Sequence, residues 1–84
     1  MKAYTLVGQD GNAFFLMGYT QSAMKDAWRK AQNDGDEAGI EEFGVEGRSR
    51  VITEAKSGDY NHLLRVLDDA IYRVNEYLGL EEED

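Results

Sequence analysis

Eight apolar residues between Tyr60 and Leu78 recur at the spacing of a single helix face: Tyr60, Leu63, Leu64, Leu67, Ala70, Ile71, Val74 and Leu78, with Gly79 directly after them. That stripe predicts an amphipathic helix, and a chain carrying it must bury the face against another element or another subunit. Val66, Tyr72 and Tyr77 lie beside the stripe and widen its apolar arc, as expected of a helix touching two neighbours. Arg65 and Asp69, and again Asp69 and Arg73, fall at i,i+4 on the opposite side, where an ion pair contributes roughly 0.2–0.5 kcal/mol.

Little else in the chain can support such a helix. Its 84 residues are enough for one domain, which hides only about 60% of the surface of its extended chain. There is no cysteine, so disulfides and thiolate metal sites are excluded. His62 is the single histidine, which argues against a zinc cage, and neither a metal nor another cofactor is expected. Assembly into a homo-oligomer is the remaining support. No signal-peptide pattern and no apolar run near membrane-spanning length is present, so the expectation is an intracellular protein without membrane contact.

Charge narrows the partners further. Nine basic residues face 17 acidic ones, a net charge of −8, which opposes direct nucleic-acid binding because that depends on neutralising phosphates. Asp34, Asp36, Glu37, Glu41, Glu42 and Glu46 crowd the middle, and Glu81, Glu82, Glu83 and Asp84 end the chain. The plain reading is a solvated loop and an acidic tail. The sharper reading is a surface that imitates a phosphate backbone. The expected division is a single domain over 1–80 and a tail over 81–84.

The expected fold class is α+β, an N-terminal β-hairpin followed by two to three helices. Lys2–Gly8 and Ala13–Gly18 read as strands around Gln9-Asp10-Gly11-Asn12, because Asp-Gly suits a type I′ turn. That register pairs Val7 with Phe14 and Leu6 with Phe15, and makes both hairpin faces apolar. One helix layer covers only one face, so the other is expected to meet a second copy of the chain. Thr20 is the expected N-cap of a helix carrying Met24, Ala27, Trp28 and Ala31 on one stripe and stopped by Asn33-Asp34-Gly35. Gly39, Gly44 and Gly47 interrupt helical pattern, so 36–47 is expected to be a loop with one short helical turn, before a helix from about Gly47 to Lys56 that presents Val51, Ile52 and Ala55.

Two segments set polar turn-forming residues directly against large apolar ones: Asp10-Gly11-Asn12-Ala13-Phe14, and Ser57 to Leu64. Asp59 reads as the N-cap of the last helix, with Ser57-Gly58 as the turn before it. An open helix start suits an anion, but an Asp cap competes for the same N–H groups. The plain structural reading of Ser57–Asn61 is therefore a helix start, with Tyr60 as a packing staple and His62 as a capping or packing histidine.

On these residues, Leu6–Gly18 (LVGQDGNAFFLMG) and Glu54–Leu64 (EAKSGDYNHLL), the chain resembles a family of small uncharacterised proteins encoded by bacteriophages and prophages. The resemblance covers about two thirds of the chain. It departs in a longer Asp34–Gly47 stretch and a last helix that continues past Leu64. It implies a setting, the cytoplasm of a bacterial host cell, rather than a chemistry.

No Ser/His/Asp or Cys/His set, phosphate loop or metal spacing is present, so catalysis is not expected. The leading functional expectation is a non-catalytic host-interaction oligomer that sequesters a small nucleotide-like host immune signal between subunits. The ligand would stack on Phe14, Tyr19, Trp28 or Tyr60, while Asn12, Asn61, His62 and Arg48 or Arg50 supply hydrogen bonds and charge. The alternatives are an acidic inhibitor that blocks the nucleic-acid groove of a host enzyme, and an assembly module without a ligand.

Overall fold

The computed structural model describes residues 2–81, which form four helices: α1 (Ala13–Asp34), α2 (Glu37–Phe43), α3 (Val45–Ala55) and α4 (Tyr60–Leu78). Three residues of the expected acidic tail, Glu82, Glu83 and Asp84, lie outside this range. No helix among the described residues is long and apolar enough to cross a membrane.

The expected β-hairpin does not form, and the class is all-helical rather than α+β. A type I′ turn needs positive φ at both central residues, yet among the described residues only Gly8, Gly35 and Gly79 adopt it. Asn12 instead starts a helix. Its own N–H donates to Asp10 Oδ1 at 2.9 Å, and its Oδ1 accepts from the N–H groups of Phe14 (2.9 Å) and Phe15 (3.3 Å). This satisfies donors that the first helical turn leaves free. In the helix Leu16, Met17, Thr20, Ala23, Met24, Ala27 and Ala31 share the buried face, whereas a strand would have sent Leu16 and Met17 to opposite sides. Thr20, the expected cap, is mid-helix and buried, and its Oγ1 donates to the Leu16 carbonyl at 2.8 Å.

The residues expected to form the first strand are extended but pair elsewhere. Lys2 bridges Glu81 in parallel. The Tyr4 backbone exchanges two 2.9 Å hydrogen bonds with the Asn75 side-chain amide. The Thr5 N–H donates to the Tyr19 hydroxyl at 3.0 Å, and the Tyr4 hydroxyl donates to Asp26. The segment thus straps α1 to α4. The expectation of an oligomer from two apolar hairpin faces loses its basis with the hairpin.

The core joins Leu16, Met24 and Ala27 of α1, Phe43 of α2, Val51 and Ala55 of α3, and Leu63, Leu67, Ile71 and Val74 of α4. The expected loop over 36–47 is mostly helix. Asp36 caps α2 by accepting from the Gly39 N–H at 3.2 Å, and its other oxygen accepts from the Tyr77 hydroxyl at 2.7 Å. Glycine is required at 39 and 47 by close approach: a Cβ at Gly39 would meet Tyr77 and Ala31, and one at Gly47 would overlap the Glu42 carbonyl. The propensity cost of these glycines is offset by the packing they permit. Three of the six central acids are engaged internally, Asp34 with Lys30, Asp36 with Tyr77 and Glu42 with Arg73, so this stretch is not a free acidic loop.

Candidate functional site

The two singled-out segments meet in space. Asp59 caps α4 by accepting from the His62 N–H at 2.9 Å, and the next residue, Tyr60, donates its hydroxyl to the Gly11 carbonyl at 2.5 Å. The starts of α1 and α4 are joined there. Phe14 and Val7 remain 78% and 84% exposed, and Asn61 is exposed on the first turn of α4.

His62 turns away from that joint, toward α3. Its Nε2 lies 2.9 Å from the Glu54 carbonyl and 3.3 Å from Ser57 Oγ. A carbonyl only accepts, so Nε2 carries the hydrogen and cannot take a proton from Ser57. Ser57 Oγ lies 2.7 Å from both the carbonyl and Oε2 of Glu54. The Ser57 hydrogen bond holds the Glu54 carboxyl below its ordinary value of 4.5; partial burial opposes this and His62 adds to it. The trio closes the end of α3 and offers no activated nucleophile.

Beside this closure, α3 and α4 enclose a groove of about 410 Å³ with Val51 and Val66 in its wall. Glu42, Glu54 and Asp69 contribute negative charge, and Arg50, Arg65 and Arg73 positive charge. Arg73 is paired twice, with Nη1 3.0 Å from Glu42 and Nε 3.1 Å from Asp69. The expected Arg65–Asp69 pair is not made, because Asp69 is held by Arg73. Arg50 and Arg65 therefore have no ion-pair partner among the described residues. Two exposed guanidiniums in one groove can hold an anionic, hydrogen-bond-accepting group.

Of the nine expected site residues, only Arg50 and His62 line this groove. Asn12 is spent as a cap. Tyr60 is tied to Gly11 and Tyr19 to Thr5. Arg48 lies on the other side of α3, over the Trp28 ring at 5.4 Å from its centroid. Arg65 was not among the expected residues, since its i,i+4 spacing to Asp69 reads as a neutralised pair; the competing Arg73 at i+4 from the same acid was the available signal. No group of His, Asp or Glu able to hold a metal ion occurs among the described residues. No family model, curated protein or solved structure matches the chain.

Proposed function

We propose that this chain is a non-catalytic binding protein that captures a small anionic, nucleotide-like ligand in the α3–α4 groove. The carrying observation is the pair Arg50 and Arg65, which line one groove and have no ion-pair partner among the described residues. Placing a phosphate between them uses charge-assisted hydrogen bonds, and Val51 and Val66 offer apolar contact to the rest of the ligand. The resemblance of Leu6–Gly18 and Glu54–Leu64 to phage and prophage proteins makes a host signalling molecule the natural ligand, with sequestration as the outcome. Glu54, Ser57 and His62 belong to the second of those segments, which ties the groove to it.

Calorimetric titration with a panel of mononucleotides and cyclic dinucleotides tests this reading. One member should bind, and Arg50→Ala and Arg65→Ala should each weaken it about tenfold, the loss expected for one charge-assisted hydrogen bond. Unchanged affinity in the double variant removes the groove as the site.

A second reading, self-association, is favoured by the exposure of Phe14, on the first turn of α1, and of Val7. It predicts a multimer in native mass measurements that Phe14→Ser converts to monomer; a wild-type monomer removes it.

A further inference from the structure

We infer a second anion site, on the opposite side of α3 from the first, that takes a phosphate-bearing group such as a diphosphate. Between α1 and α3 runs a groove of about 480 Å³ lined by Lys25, Arg48 and Lys56, with no acidic residue among its lining. In a chain of net charge −8, a groove whose charged groups are all cationic is a local reversal of the overall field, and its concave wall focuses that field on a bound anion. Lys25 and Lys56 have no ion-pair partner among the described residues, so their ammonium groups are free to engage a ligand.

Arg48 is the fixed element of the site. Its Nη1 donates to the Phe43 carbonyl at 2.6 Å, and its guanidinium lies over the Trp28 ring. This clamp holds the side chain in one place while leaving further N–H donors of the fork unused. Ser49 and Thr53, one helical turn apart on α3, add hydroxyl donors along the same wall. The combination of two mobile ammonium groups, one positioned guanidinium and two hydroxyls suits several phosphate oxygens rather than a single carboxylate. The site does not depend on the α3–α4 groove, because the two share none of their lining residues.

The test is an NMR titration of the full chain with inorganic pyrophosphate, following backbone amides. Run in the Arg50→Ala/Arg65→Ala double variant, which disables the α3–α4 groove, it should give saturable shifts at Lys25 and across Val45–Lys56. Lys25→Ala and Lys56→Ala, both at exposed positions, should each weaken binding about tenfold. Lys2→Ala should leave it unchanged. Equal weakening by Lys2→Ala would show diffuse charge attraction and overturn the site. So would the absence of a saturable shift at Lys25 and within Val45–Lys56.

Discussion

The Tyr60 hydroxyl donates to the Gly11 carbonyl at 2.5 Å across 49 positions of sequence. This bond joins the start of α4 to the residue before the α1 cap, so the two polar–aromatic segments form one structural joint. Tyr60→Phe removes the donor and leaves the ring. Because the hydroxyl is partly exposed, the loss should be about 0.5–1 kcal/mol by urea denaturation, with faster amide exchange at Asn12–Phe15. Wild-type stability in the variant would mean the joint contributes nothing.

Gly18 separates a helix from a hairpin directly. It lies inside α1 with ordinary φ and with open space where a Cβ would stand. Gly18→Ala should therefore stabilise the chain, by about 0.4–1 kcal/mol. Loss of stability would contradict the helical assignment of residues 13–20.

Gly47 predicts the opposite sign. A Cβ there overlaps the Glu42 carbonyl, so α2 and α3 must separate to admit it. Gly47→Ala should destabilise by about 1–3 kcal/mol, as overpacking does, and a neutral result would remove the close approach of the two helices.

Asp36 and Tyr77 give the fold two pH limits. The Tyr77 hydroxyl, then the Gly39 N–H, hold the Asp36 carboxyl below its ordinary value of 3.8. That contribution is present above the unfolded value and is lost as pH falls through the lowered folded value. The Asp36 hydrogen bond, then burial, push Tyr77 from 10.0 up to about 12. Its contribution is present below about 10 and is lost as pH rises from there through about 12. Tyr77→Phe should flatten the alkaline loss and reduce the acid one in stability measured against pH.

The helix α4 was legible because its apolar stripe is continuous and both ends carry caps, Asp59 and the left-handed Gly79. The C-terminal half of α1 was legible from Met24, Ala27 and Ala31, with Gly35 as its stop. The first half was not, because Phe14 to Met17 is an unbroken apolar run in which strand and helix faces cannot be separated locally. Extending the Met24 stripe backward through Thr20 and Met17 gives the correct helix. Residues 36–47 were obscured by glycines whose cost is local and whose benefit, the approach of α2 to its neighbours, is tertiary. Arg50 and His62 were readable as chemistry-bearing residues, but their shared groove depends on how α3 crosses α4, which no spacing in the sequence encodes.

Capture of an anionic ligand by Arg50 and Arg65 in the α3–α4 groove has a direct readout. It is native mass spectrometry of freshly purified protein beside the Arg50→Ala/Arg65→Ala double variant. Added mass of a nucleotide-sized ligand is expected on the wild type and should be lost in the variant. A wild type at its bare 9.5 kDa chain mass, or an adduct that the double variant retains, would contradict it.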